Sequence, residues 1–234
     1  MAAVGCQRLI RSRLVFEKAA PGDAPSRRPV VQRRGRERVQ AILDAASALL
    51  SEQGYEAATL KAAGERAGIP TASLYHYFSD RHQVDAQLAQ RHLRALDAEL
   101  STVADDTNLR TLRDAIDAVI DPYVAYFREH RDFLQLWFAG RSPTLTALAR
   151  TFDEMQARRF WGLLLDRNLI GSDTPEFVVQ LAFEAGNRLF DVAFRLSPTG
   201  DDTTIDEARR LLTAYLETYK PKQSNARRPA VREA

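Results

Sequence analysis

The spacing of apolar residues limits the fold of this chain more than any other feature of its sequence. Over residues 36–53 the apolar positions advance in steps of three and one, which places them on one face of a helix. These positions are Val39, Ile42, Leu43, Ala46, Leu49 and Leu50. The same period continues through nearly the whole chain, and neither the alternation typical of strands nor a short internal repeat is visible. The sequence therefore predicts an all-α protein.

Capping residues and clusters of Gly, Pro, Asp and Ser divide this pattern into separate helices. The predicted helices cover residues 36–53, 60–67, 71–78, 80–100, 109–130, 133–140, 144–168, 175–196 and 205–219. Thr59 is a suitable N-cap for the second helix, and Gly54 and Gly68 end the first two because glycine tolerates a left-handed backbone. A polar linker at 101–108 separates the first four helices from longer, aromatic-rich ones.

The basic residues are unevenly distributed along the chain. Eight of the 33 Lys and Arg residues lie within the first 35 positions, against two of the 31 acidic residues. A basic arm on a slightly acidic body suits contact with a polyanion at one end, although solvated basic tails without a partner are about as common. We expect a disordered basic arm at 1–35, a helical head at 36–80, a linking helix at 81–104, a larger helical domain at 105–220 and a disordered tail at 221–234.

The composition excludes several classes of protein. With 234 residues and 45% hydrophobic content, the chain can bury a sizeable core and is not disordered as a whole. Cys6 is the only cysteine, which excludes an internal disulfide and a cysteine zinc site. No segment is long and apolar enough to span a bilayer, and the basic start is not followed by the apolar segment of a signal peptide. We expect a cytoplasmic protein.

The second and third predicted helices have the pattern of a helix-turn-helix motif. They are short and are joined by a three-residue turn that begins with Gly68. Gly64 provides a small residue where two helices must touch, and Ile69 and Leu74 can fill the angle between them. In the third helix, Leu74 and Phe78 share one face that can be buried, which leaves the rings and hydroxyls of the segment TASLYHYF on another face.

The sequence of residues 59–88, TLKAAGERAGIPTASLYHYFSDRHQVDAQL, resembles the DNA-binding head of the TetR-type transcriptional repressors. The most specific part is AGIPTASLYHYFSDR, and the motif resemblance extends over about 36–94. Ala63, Gly64 and Pro70 depart from the usual residues, and Pro70 suits the first turn of a helix. The resemblance implies an N-terminal three-helix helix-turn-helix head and a larger C-terminal helical domain for ligand binding and dimerisation.

The outward face of the third helix suits the DNA major groove, because small residues lead and hydrogen-bonding side chains follow. The resemblance implies base contacts from Lys61, Thr71, Ala72 and Ser73 and phosphate contacts from Tyr75, His76, Tyr77 and Arg81. Double-stranded operator DNA is then the expected partner. The alternative is a buried aromatic helix, for which Leu74 and Phe78 are the best candidates.

The C-terminal domain has more aromatic residues than a slim helical bundle needs, which favours a ligand cavity between its helices. The candidate ligand-binding residues are Tyr123, Phe127, Phe133, Trp137, Phe138, Arg141, Trp161, Phe183 and Asn187. The alternative is a plain aromatic core. Because Arg141 follows Trp137 by four residues, an anionic or carbonyl-bearing aromatic or acyl effector is favoured.

The last two helices, 175–196 and 205–219, are the expected homodimer interface, as the resemblance implies. Ala182, Gly186 and Ala193 lie along one face of the first of them, where small residues permit close helix packing. Gln180, Glu184, Asn187 and Asp191 form a polar stripe that could face water, the partner subunit or the cavity. A symmetric dimer would bind a pseudo-palindromic operator.

The resemblance and the chain order together imply a mechanism. We expect a repressor that a small hydrophobic effector releases from its operator, by changing the spacing of the two heads. The helix at 80–100 is the expected lever, and it is expected to be the only connection between the cavity and the head.

An enzyme and a protein-binding adaptor are the two other classes of function to compare with this interpretation. An enzyme is disfavoured because no HExxH, GxSxG or glycine-rich phosphate motif is present, and no cofactor is expected. A metal site, for which His76 and His92 could join Asp85 or Glu99, is also not expected. A helical adaptor that binds proteins and has no specific DNA target remains the alternative function.

Overall fold

The computed structural model describes residues 28–106, 108–139 and 142–221, and all regular structure within these ranges is helical. The helices are α1 (Arg28–Gln53), α2 (Leu60–Arg66), α3 (Thr71–Tyr77), α4 (Arg81–Ser101), α5 (Leu112–Glu129), α6 (Arg131–Ala139), α7 (Pro143–Asp166), α8 (Glu176–Leu196) and α9 (Asp202–Glu217). A short 3-10 helix, Thr102–Asp105, follows α4. The predicted all-α fold, with a helix-turn-helix head and a larger C-terminal domain, is confirmed.

The largest difference from the predicted helices lies at the start of α1, which begins at Arg28 and not at residue 36. The last residues of the expected disordered arm, 28–35, are therefore helical. Pro29 does not prevent this, because it falls in the first turn, where its missing N–H is not needed. The rest of the arm, Cys6, Arg141 and nearly all of the expected tail lie outside the described residues.

The head is built on α1, on which α2 packs, and α3 packs on α2. Its core is composed of buried aliphatic side chains and one ring: Ile42, Leu43, Ala46, Leu49, Leu50, Ala58, Leu60, Ala63, Leu74, Phe78, Val84 and Leu88. Thr59 caps α2 through a hydrogen bond from the backbone N–H of Ala62, and Gly68 has a φ of 65° at the turn. A Cβ at Gly64 would lie 2.7 Å from Cδ2 of Leu74. The predicted small-residue contact is therefore present, and it joins α2 to α3.

Two helices connect the head with the C-terminal domain, whereas one was predicted. α4 buries Val84 and Leu88 in the head, and its second half buries Leu96 and Leu100 in the aromatic core of the larger domain. α6 also packs on α1, and Leu136 of α6 belongs to the core of the head. The head is therefore linked to the larger domain through α6 as well as through α4.

α5, α7, α8 and α9 share the core of the C-terminal domain. Ala182, Gly186 and Ala193 are buried in it, and a Cβ at Gly186 would lie 3.5 Å from Cδ1 of Leu212. The expected role of these small residues at a dimer interface is wrong, because they allow α8 to pack closely on α9 of the same chain. In the described ranges, none of the helices has the length and hydropathy required to cross a membrane.

Candidate DNA interface and effector cavity

The outward face of α3 is open to solvent. Leu74 and Phe78 are buried in the head, whereas Thr71, Ala72 and His76 are exposed. Tyr75 has an exposed fraction of 56%, which is high for an aromatic side chain. The alternative of a wholly buried aromatic helix is therefore wrong, because only the two residues that share the inner face are covered. The remaining side chains are available to a partner.

Three other predicted contact residues lie beside this face. Ser73 and Tyr77 are half-buried, and the hydroxyl of Tyr77 accepts a hydrogen bond from Arg38 at 3.4 Å. Arg38 of α1 was not identified from the sequence, since nothing in its spacing shows that it meets α3. Lys61 is exposed on α2, where its Nζ lies 3.7 Å from Oε1 of Glu65. An exposed ion pair of this kind is weak and leaves the ammonium group free to change partner.

Arg81 differs from the other candidates because its guanidinium group stacks on a ring within the head. Its guanidinium carbon lies 3.6 Å from the centre of the Tyr55 ring, and it also donates a hydrogen bond to the carbonyl of Tyr55. Its Nε lies 3.5 Å from Oδ2 of Asp85, and the side chain is 20% exposed. Burial raises the pKa of Asp85, although hydrogen bonds from Tyr55 and Arg81 oppose this effect. These contacts hold the start of α4 against the turn after α1, and the phosphate contact of Arg81 stays a prediction.

A cavity of about 370 Å³ lies between α4, α6, α7 and α8. This volume is within the range of small-molecule sites. Most of its wall is apolar or aromatic: Ala89, Leu93, Phe133, Leu136, Trp137, Leu145, Leu148 and Ala149. Its polar wall is supplied by Thr146, Arg150, Asp153, Glu184 and Asn187.

The structure brings some of the predicted ligand residues together. Phe133, Trp137 and Asn187 line this cavity, and Tyr123 and Phe183 line an adjoining apolar cavity that shares Asn187 with it. The other predicted residues have different positions. Phe127 is buried in the aromatic core, where Phe138 packs against it with ring centres 5.7 Å apart. Trp161 packs on the core of α5, α8 and α9, and its indole N–H donates to the carbonyl of Thr174 at 2.9 Å.

Two buried polar atoms near the cavity have no hydrogen-bond partner among the described residues. They are Oδ1 of Asp153 and the hydroxyl of Tyr123. The other carboxylate oxygen of Asp153 accepts from Nδ2 of Asn187 at 2.8 Å. Burial raises the pKa of Asp153 to about 7 against the effect of that hydrogen bond, and Glu184 and Glu154 act in the same direction as burial. Burial also raises the pKa of Tyr123, and the charge of Asp153 adds to this.

A buried polar network joins the head to the C-terminal domain beside the cavity. His92 of α4 is hydrogen-bonded through Nδ1 to the Tyr126 hydroxyl and through Nε2 to Oδ2 of Asp132, each at 2.9 Å. Asp132 also accepts from the hydroxyl of Ser47 in α1. Burial alone would raise the pKa of Asp132, but hydrogen bonds from His92 and Ser47 lower it to about 2. Asp132 of α6 therefore links α4 with α1, and His92 adds Tyr126 of α5 to the same network.

The same network contains the described residues closest to a metal-ligand arrangement. His92, His130 and Asp132 offer ligand atoms within 4.8 Å of one another. This set differs from the combination of His76 and His92 with Asp85 or Glu99 that the sequence offers. Both ring nitrogens of His92 are engaged in hydrogen bonds, which accounts for the proximity of these side chains.

Sequence reasoning missed Asp153 and the partners of His92. Asp153 follows Ala149 by four residues and precedes the buried Ala157 by four, so it falls on the inward side of α7. A carboxylate on an otherwise apolar face was a signal that could have identified it. Asp132 and Ser47 have no such signal, because their meeting depends on the packing of α6 against α1.

Comparisons with known proteins agree with this architecture. Residues 42–84 match the family model of bacterial regulatory proteins of the tetR family, and residues 111–216 match the tetracyclin repressor-like C-terminal domain. A crystal structure of a TetR-family transcriptional regulator from Streptomyces coelicolor is 31% identical, with a TM-score of 0.61. The match covers 78% of this chain and 99% of that one.

Two further proteins resemble parts of the chain or its fold. The HTH-type transcriptional repressor KstR of Mycolicibacterium smegmatis is 36% identical over 69 residues, which are 30% of this chain and 34% of KstR. The chain thus matches about a third of the length of this curated relative. A crystal structure of RolR with its ligand resorcinol is 15% identical with a TM-score of 0.58, over 82% of this chain and 98% of RolR. That similarity concerns the fold alone.

The fold, the helix-turn-helix head and the C-terminal helical domain define a DNA-binding transcriptional regulator. The chain belongs to the TetR family. This family consists of regulators and not of enzymes, so the sequence-based prediction that the chain is not an enzyme rests on its family as well as on the missing motifs.

Proposed function

We propose that this protein is a repressor that binds a palindromic operator as a homodimer and leaves it when a small effector occupies the cavity between α4, α6, α7 and α8. The observation that carries the proposal is the open face of α3 above a core of Leu74 and Phe78. Its small leading residues permit close approach to base edges. A protein with this task would act where the bacterial chromosome lies, in the cytoplasm.

The proposed head comprises residues 36–80 together with the preceding turns of α1, and 105–220 forms the effector domain. The cavity and the head share Leu136, whose side chain lines the one and belongs to the core of the other. Ala89 and Leu93 of α4 line the same cavity. An effector that displaces α4 or α6 would therefore move the head and weaken DNA binding. By thermodynamic linkage, bound DNA would weaken effector binding by the same free energy.

Mutations of base-contacting and phosphate-contacting residues should have different effects on operator and random DNA. We expect Lys61→Ala and Ser73→Ala to weaken operator binding by about 1–3 kcal/mol each with little effect on random DNA. Tyr75→Ala should weaken both to a similar extent, because phosphates are common to all sequences. Titrations of the operator and of a scrambled duplex at one salt concentration measure the difference. Equal losses for the two groups of variants would contradict the assignment.

The dimer interface is proposed on the exposed side of α8 and on α9. Phe177 and Leu181 are separated by one turn and have exposed fractions of 55% and 52%, and Leu211 of α9 is 47% exposed. Large apolar side chains of this kind, close together on one helix, are typical of a surface that binds a partner.

A single charge should disrupt that interface. We expect Leu181→Glu to produce a folded monomer and to reduce operator affinity, because two half-sites are then no longer bound together. Sedimentation velocity measures the mass. Met155→Glu, at another exposed apolar position on α7, is the matched control and should remain dimeric. A dimeric Leu181→Glu protein would place the interface elsewhere.

The proposal is tested by a gel-shift titration with the DNA upstream of the protein's own gene. A repressor should shift this duplex at concentrations at which a scrambled duplex of equal composition stays free, and the affinity should fall steeply with salt. A protein-binding adaptor predicts equal, weak shifts of both duplexes, and that result would overturn the proposal.

A further inference from the structure

The polar end of the effector cavity contains a carboxylate oxygen that the described part of the chain leaves unpaired. Asp153 lies at the cavity wall, and its Oδ1 is buried without a partner among the described residues. The hydroxyl of Tyr123, in the adjoining cavity, is also buried and unpaired. Buried polar atoms of native proteins nearly always have a partner, so two orphans in one region indicate that a partner comes from outside the chain.

The charges around Asp153 indicate what kind of partner is missing. On α8, Glu184 is exposed and lines the same cavity, so it adds a second negative charge. In the described part of the cavity wall the only cation is Arg150, whose Nε lies 3.9 Å from Oε1 of Glu154 and whose side chain is mostly exposed. Among the described residues, Asp153 therefore has an amide as its hydrogen-bond partner but no buried counter-ion.

The rest of the cavity is suited to an apolar cation. Trp137 lines it with a half-buried ring, and the face of an indole attracts positive charge. We propose that the cavity binds an apolar molecule that carries a protonated amine, whose N–H groups donate to Oδ1 of Asp153 and to the hydroxyl of Tyr123. The inference rests on the proposed effector-binding function. It differs from the anionic effector expected from Arg141, because the described wall presents acceptors.

Proton linkage gives this site a second property. An ammonium group requires the ionised form of Asp153, whose pKa lies at about 7 in the absence of a cation. The groups that face it are Glu154 and Arg150 of its own helix, Glu184 and Asn187 of α8 and Tyr123 of α5. Amine binding should therefore weaken as the pH falls from 8 to 6, while a neutral ligand should bind equally at both values.

The experiment compares three probes with one carbon skeleton: phenylbutylamine, phenylbutanol and phenylbutyrate. Binding to the full-length protein is measured by calorimetry, and a change in tryptophan fluorescence that Trp137→Phe removes reports occupancy of the cavity. We expect the amine to bind about ten- to a hundredfold more tightly than the alcohol, because charge-assisted hydrogen bonds are the stronger ones. Phenylbutyrate should bind most weakly. Equal affinity for amine and alcohol, tighter binding of phenylbutyrate, or no binding of any probe would overturn the proposal.

Variants locate the binding site of the amine. Asp153→Asn preserves the shape and should remove the preference for the amine and its pH dependence. Tyr123→Phe should lower amine affinity by about tenfold. Asp166→Asn removes the same charge at an exposed position at the far end of α7, and this variant should bind the amine as the unmodified protein does. If Asp153→Asn and Asp166→Asn have equal effects, the site is not at Asp153.

The outcomes separate this inference from the proposed function. Release of operator DNA by the amine is measured independently of amine binding. If the amine binds through Asp153 but DNA is retained, the inference stands and release by an effector is wrong. If phenylbutanol or phenylbutyrate binds more tightly and releases DNA, the repressor function stands and the amine site is wrong.

Discussion

Ala72→Glu is expected to abolish operator binding, with a loss of more than about a hundredfold in affinity. Ala72 is exposed near the start of α3, on the face proposed to enter the major groove. A carboxylate at this position would meet base edges and phosphates at close range, and apposed like charges cost several kcal/mol. The fold should be unaffected, because the side chain at this position does not contribute to the core.

A matched variant separates this effect from a change in net charge. Gln87→Glu adds one negative charge at an exposed position of α4 and should retain nearly full affinity. Gel shifts and far-UV circular dichroism of both variants provide the comparison. If Ala72→Glu binds the operator as well as Gln87→Glu does, α3 is not the recognition helix.

Asp132→Ala is expected to have the largest effect on stability. Asp132 is buried and accepts hydrogen bonds from His92 and Ser47, so its removal leaves the buried His92 and the half-buried Ser47 without their acceptor. Loss of one member of a buried pair costs about 3–5 kcal/mol. For a chain of this size the melting temperature should fall by roughly 10 °C. Glu129→Ala, at an exposed position of α5, should shift the melting temperature by very little.

The pKa of the same carboxylate predicts how the free energy of unfolding depends on pH. The pKa of Asp132 is lowered from 3.8 to about 2 in the folded protein. At pH values between these two, the unfolded chain therefore binds more protons than the folded chain does. Its contribution, about 2 kcal/mol, is complete above pH 4 and is lost as the pH falls towards 2. Asp132→Ala should show a correspondingly smaller loss between pH 4 and 2 in denaturant titrations. An equal loss in both proteins would contradict this role.

The helices and the head were predictable because their signals are local. The stripe that includes Ile42 and Leu50, the cap at Thr59 and the glycine at position 68 each act within a few residues of sequence. Even so, the start of α1 was placed eight residues too late, because a Pro in the first turn does not stop a helix.

The parts that were not predictable depend on contacts between distant segments. Arg81 has a suitable position for a phosphate contact in sequence, yet it stacks on Tyr55 once α4 packs beside α1. Ala182 and Gly186 are small because α9 packs on them, and a small residue in a sequence does not reveal which helix it meets. The connection through α6, with Leu136 in the core of the head, depends on the tertiary arrangement alone.

The central claim, that this protein reads a specific DNA sequence as a symmetric dimer, is tested most directly by selection from a pool of random duplexes. After several rounds with the full-length protein, the bound DNA is sequenced. We predict enrichment of one inverted repeat whose half-sites are centred about one or two helical turns apart, and no enrichment with the Ala72→Glu protein. Bound DNA that shows no common sequence, or the same sequences with both proteins, would contradict the claim.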